Sequence, residues 1–173
     1  MPDFVELYAV LDTDFLIKTC TVNKDSFHLI DIIDLMSPSL KKCCHEQICK
    51  ELSVHNIDAY NWLNTRISNQ EVRAYSDKEI LEGLESHYEI SEAIACRYYV
   101  NMLTKICKHH NPKLYIDYKN HLSSYVAIDR SISEFLLFLN NEENILGQGK
   151  GLGEVKDTLL IKYINICTFS KSI

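Results

Sequence analysis

Five carboxylates stand at three separated places in the chain: Asp12 and Asp14 in YAVLDTDFLI, Glu51 in CHEQICKEL, and Glu154 with Asp157 in GLGEVKDTLL. Brought side by side, such groups repel, and a divalent cation between them removes the penalty. Mg²⁺ or Mn²⁺ suits an oxygen-only set, because it keeps several waters while bridging carboxylates and a phosphate. A cation so held activates water and neutralises phosphoryl oxygens during in-line displacement, so no side-chain nucleophile is needed. Asp12, Glu51, Glu154 and Asp157 are therefore the candidate catalytic residues, and together with Asp14 they are the candidate metal ligands.

Each acid also has a plainer use. An Asp directly after an apolar run serves as a turn former or helix cap. Glu51 reads equally as a surface glutamate. Glu154 and Asp157, spaced three apart at a helix start, gain from the macrodipole alone. What separates the two readings is whether the chain brings the acids together.

The elements that must do so are legible in outline. YAVLDT, short, apolar and bounded by acid, predicts a buried strand ending at Asp12. In a parallel sheet, ligands gather at the carboxyl ends of strands, which is where Asp12 would stand. SFHLIDIIDLM (26–36) predicts a helix with Leu29, Ile32, Ile33 and Met36 on its apolar stripe, and SPSL breaks it. Helices are expected over 44–54 and 56–69, the first with Cys44, Ile48 and Leu52 inward and Glu46 solvated. EVRAYS (71–76) predicts a strand, with Ser76 and Glu79 forming a capping box on the helix that follows. Helices are then expected through 77–110 and, in two pieces, up to Asn140. GQGKGLG (147–153) holds four of the five glycines and predicts a loop. A helix resumes at EVKDTLLIKYIN, and ICTF predicts a last short strand. Strands separated by helices imply an α/β class: a three-layer α/β/α arrangement on a short central parallel sheet, with a helix-rich middle.

Composition narrows the alternatives. At 173 residues and 46% hydrophobic content, with no repeat or linker, one domain over 1–173 is expected. The net charge of −6 gives no general attraction for nucleic acid, so RNA would need a local basic patch. Lys41, Lys42 and Lys50 flank the second acid and Lys150 and Lys156 the third, as candidate phosphate contacts or as solvated surface. Seven scattered cysteines read as reduced thiols of a cytoplasmic protein. Asp3, Glu6 and Asp12 interrupt the amino-terminal segment, so no signal peptide is expected, and FLLFL is too short for a membrane span. The CCHEQIC stretch and CKHH (107–110) offer thiols and imidazoles to zinc, but buried thiols and surface histidines are the better account. Tyr98, Tyr99, Tyr115 and Tyr118 are candidates either for base stacking or for half-buried helix contacts.

YAVLDTDFLI, then a helix holding ICKEL, then GLGEVKDTLLI resembles the PIN-domain ribonucleases at the beginning and end of the chain. Residues from about 86 to 143 match nothing specific. The resemblance implies a PIN-like α/β/α fold and an acidic pocket for Mg²⁺ or Mn²⁺ that cleaves RNA. Asp12 would be the first acid, Glu51 the second and Glu154 the third, with Asp157 as helper or substitute. Asp14 stands where the family more often has Asn or Ser. Many bacterial members are toxins of toxin–antitoxin pairs, so the implied partners are RNA and an antitoxin protein, with a homodimer as a further option and no membrane. The family often has a fourth acid after the last helix, where ICTFSKSI carries none. That departure favours a rival reading, a catalytically silent PIN-like scaffold that binds RNA or a protein. A helical interaction protein without a metal site is a third reading.

Overall fold

The computed structural model describes residues 6–21, 23–24, 27–146 and 151–169. Contacts divide the chain into two compact units, Met1–Tyr75 and Ser76–Ile173.

The first unit is α/β. Strand β1 (Tyr8–Val10) leads into α1 (Thr13–Thr21). Two-residue strands β2 (Asn23–Lys24) and β3 (Phe27–His28) pair antiparallel before α2 (Leu29–Met36). Then come β4 (Lys41–His45), α3 (Glu46–His55), α4 (Ile57–Ser68) and β5 (Val72–Tyr75). β1, β4 and β5 form a parallel sheet in that order, with Ala9 opposite Lys42 and Cys44 opposite Ala74. The core is a cluster from sheet and helices that includes Leu16, Cys44, Ile48, Leu52 and Leu63, each fully buried. Burying one such leucine or isoleucine contributes about 1.5–3 kcal/mol.

Three expectations change here. Lys41–His45 is the central strand, whereas the sequence predicts helix from Cys44. Paired with β1 on one side and β5 on the other, this strand gains ladder bonds that outweigh a composition with no strand signature. The helix predicted from Ser26 starts at Leu29, and its inward residue is Ile30, while Leu29 and Met36 are exposed. His45 is a buried helix cap rather than a surface histidine: its Nδ1 accepts from the Gln47 N–H at 3.1 Å.

The second unit is helical throughout its described residues: α5 (Asp77–Tyr88), α6 (Glu92–His110), α7 (Pro112–Tyr125), α8 (Ile132–Leu146) and α9 (Leu152–Phe169). The capping box on α5 is present as expected, with Ser76 Oγ accepting from the Glu79 N–H and the Glu79 carboxylate accepting from the Ser76 N–H. Gly83 lets α5 and α9 approach: a Cβ there would lie 2.0 Å from the Tyr163 hydroxyl oxygen. Of the expected glycine loop, 147–150 lie outside the described residues, and Gly151 takes a left-handed φ of +66°. ICTF is no strand. α9 runs on through it, and Thr168 returns its hydroxyl to the Ile164 carbonyl at 2.7 Å within the helix. No helix among the described residues is long and apolar enough to cross a membrane.

Candidate functional site

In the first unit the chain leaves β1 through Leu11, whose N–H donates to the Cys43 carbonyl at 2.8 Å and prolongs the sheet by one residue. Asp12 follows at the strand's carboxyl end. Its Oδ1 accepts from the Phe15 N–H at 2.7 Å, the bond of a helix N-cap. Asp12 is thus both a cap and an exposed carboxylate at the carboxyl end of a parallel strand, the end where such sheets commonly place ligands. Asp14, also exposed, points elsewhere and pairs with Lys18 one turn on at 3.7 Å.

Glu51 approaches the start of α1 from α3. The part-buried Thr13 hydroxyl donates to its Oε2 at 2.8 Å across 38 positions of sequence. Ile48 and Leu52 anchor that face of α3 in the core, Glu51 is half-buried at its edge, and Glu46 is solvated as expected. The first two acids are therefore one residue and one hydrogen bond apart.

In the second unit the acids of α9 diverge. Glu154 is exposed, and its Oε1 lies 3.6 Å from His110 Nδ1, an ion pair when the imidazole is protonated. Asp157, one turn on, is buried, with 5% exposure. Between them Lys156 is fully buried. Its ammonium donates to Asp77 Oδ1 and Oδ2 at 2.9 and 2.8 Å and to the Tyr99 hydroxyl at 2.9 Å, and it pairs with Glu143 Oε1 at 2.6 Å. Tyr118 donates to the same Glu143 oxygen at 3.0 Å, and Tyr99 to Asp77. Burial opposes the charge on Lys156, but Asp77 and Glu143 outweigh it and hold the amine's pKa above its usual range. Burial, with Asp77 nearby, raises the Glu143 carboxyl against the pull of Lys156. Burial and the carboxylates keep both phenols protonated, as donors.

This cluster removes Lys156 from the set of phosphate-binding candidates. Its signal was readable: Leu152, Val155, Lys156, Leu159 and Leu160 follow the i, i+3, i+4, i+7, i+8 rhythm of an inward face, so a lysine stands in a core phase. Lys150 lies outside the described residues. Lys41 pairs with Glu6 at 2.5 Å and Lys42 with Asp34 at 2.7 Å, beside a cleft of about 830 Å³ that Arg66, Asp31 and Glu71 also line. Lys50 on α3 and Lys41 are exposed, so both keep the solvated character the phosphate reading needs, although Lys41 already carries Glu6. Tyr99 and Tyr118 are core residues, while Tyr98 is exposed and Tyr115 half-buried.

All seven cysteines are free thiols. Burial pushes Cys20 and Cys96 up to about 11 and Cys107 to about 12, which suppresses thiolate chemistry. Cys43 and Cys44 are adjacent on a strand and face opposite ways, so they do not form half of a zinc site.

No known protein family, curated protein or solved structure matches the chain. Among the described residues no group of three or more His, Cys, Asp or Glu side chains is arranged to hold a metal ion. Asp12 and Glu51, both tied to the first turn of α1, offer only hard carboxylate oxygens. That fits Mg²⁺, which usually takes one or two carboxylates and fills its remaining positions with water or phosphate.

Proposed function

We propose that the chain is a Mg²⁺- or Mn²⁺-dependent endoribonuclease of PIN type, with an α/β/α arrangement around its parallel sheet. The resemblance extends the proposal to a cytoplasmic toxin restrained by an antitoxin protein. The observation that supports it is the hydrogen bond to Glu51 from Thr13, the residue that follows Asp12 at the carboxyl end of β1. In this reading Asp12 and Glu51 hold the cation, which when bound supplies an activated water and neutralises phosphate charge. The resemblance also names Glu154, with Asp157 as helper, as a third acid, and loss of RNA cleavage in Glu154→Gln is the result that would support that expectation.

Calorimetric titration with Mn²⁺ separates the outcomes. Wild type is expected to bind and Asp12→Asn to lose binding; cleavage of RNA in Mg²⁺ is expected to disappear in Glu51→Gln. Equal Mn²⁺ binding by wild type and Asp12→Asn would refute the site. A second reading, the catalytically silent scaffold, is favoured by Asp12's existing duty as a helix cap and by the lack of a three-acid group among the described residues. It predicts no Mn²⁺ binding with RNA or protein binding retained.

A further inference from the structure

Asp12 and Glu51 share a feature at the start of α1. Each has one carboxylate oxygen tied to the first turn of α1: Asp12 Oδ1 by the Phe15 N–H at 2.7 Å, and Glu51 Oε2 by the Thr13 hydroxyl at 2.8 Å. The first tie draws on a backbone donor, the Phe15 N–H, so it does not depend on the side chain at that position. The second depends on one side chain, and it is the one that spans two elements.

Glu51 is a long side chain at the margin of the core, with Lys50 and Ser53 exposed beside it. A glutamate has several rotamers open to it, and ordering one on binding costs up to about 2 kcal/mol of side-chain entropy. The Thr13 hydroxyl meets part of that ordering in advance. It also occupies a lone pair on Oε2, which biases the carboxylate toward binding a cation through one oxygen. Thr13 is half-buried at the first position of α1, where its hydroxyl is not required as the cap because Asp12 fills that role. Its bond is therefore directed at Glu51 and not at its own helix.

We infer that Thr13 is a positioning residue for the divalent-cation site: by holding Glu51 Oε2 it sets the second carboxylate against Asp12 before any cation arrives. This inference rests on the metal reading proposed above. Hydrogen-bonding partners of ligating carboxylates typically govern metal affinity by about 10–100-fold. Thr13→Val keeps the shape and the β-branch but removes the donor; Thr13→Ser keeps the donor.

The experiment is a calorimetric Mn²⁺ titration of the full chain as wild type, Thr13→Val, Thr13→Ser and Asp12→Asn, with a thermal melt of each. The expected result is Mn²⁺ affinity weakened about 10–100-fold in Thr13→Val and restored in Thr13→Ser, with all melts alike. A purely structural threonine would shift the melt and leave the affinity in place. Should Thr13→Val fail to fold, Thr13→Ala removes the same donor with less bulk and is read in its place. If wild type binds through Asp12 and Thr13→Val binds equally tightly, the positioning role is overturned and the metal site stands. If wild type binds no Mn²⁺, the metal reading falls and the role of Thr13 falls with it.

Discussion

The two units handle charge in opposite ways. In the first, Asp12 and Asp14 sit in solvent at a helix start, and Glu51 is only half covered. In the second, one fully buried lysine is enclosed by two carboxylates and two phenols. Exposed acids beside a strand end suit exchange with a ligand. A buried cluster suits permanence, because removing any member leaves its neighbours charged in a medium that solvates them poorly. The contrast locates candidate chemistry in the first unit and structural commitment in the second.

Lys156→Met gives the largest expected break in this contrast. It leaves Asp77 and Glu143 buried without their cation and should cost about 3–5 kcal/mol in urea unfolding. Adding Asp77→Asn and Glu143→Gln should recover much of that loss, and no recovery would mean that packing, not charge, is what Lys156 supplies. Next is Gly83→Ala. The new Cβ meets Tyr163, and overpacking of this kind costs about 1–3 kcal/mol. In a Tyr163→Ala background the sign should reverse, since alanine is better than glycine in a helix by about 1 kcal/mol. Ser76→Ala removes the α5 cap at a cost of about 1 kcal/mol, read as a drop in melting temperature.

Two smaller effects sharpen the view of the first unit. Asp31 is partly buried, which works against its charge. Bonds from the Trp62 indole and the Arg66 guanidinium, each 2.9 Å, outweigh this and hold its carboxyl below its ordinary 3.8. A depressed native pKa gives stability that is fully present above 3.8 and is lost as the pH falls through the native value. Asp31→Asn should therefore flatten the acid limb of the unfolding curve while leaving the amide oxygen to accept from Trp62. Asp14→Ala should change no melting temperature measurably, because its pair with Lys18 is almost entirely in water.

What the sequence disclosed were the short-range features. Ser76 and Glu79 are three residues apart, so their capping box was readable. The apolar run before Asp12 likewise announced β1 and the position of its acid. β4 was hidden because Lys-Lys-Cys-Cys-His carries no period of two and becomes a strand only by bonding β1 and β5 on either side. The first two site acids were legible as candidates, but Thr13 was not, since its bond crosses 38 positions. Lys156 was misassigned to the surface because its partner Asp77 lies 79 positions away, although its place in the apolar rhythm of α9 gave it away. Long-range electrostatic partners leave that trace only: a charge standing where a leucine belongs.

One consequence of the buried cluster concerns how the second unit opens. Asp77 comes from α5, Tyr99 from α6, Tyr118 from α7, Glu143 from α8 and Lys156 from α9, so every described helix of that unit contributes one member. Fraying a single helix strands the other four members, and partial opening becomes nearly as expensive as opening everything. Core amides of all five helices should then lose protection against deuterium in one concerted step, with a shared free energy, rather than peeling away in sequence.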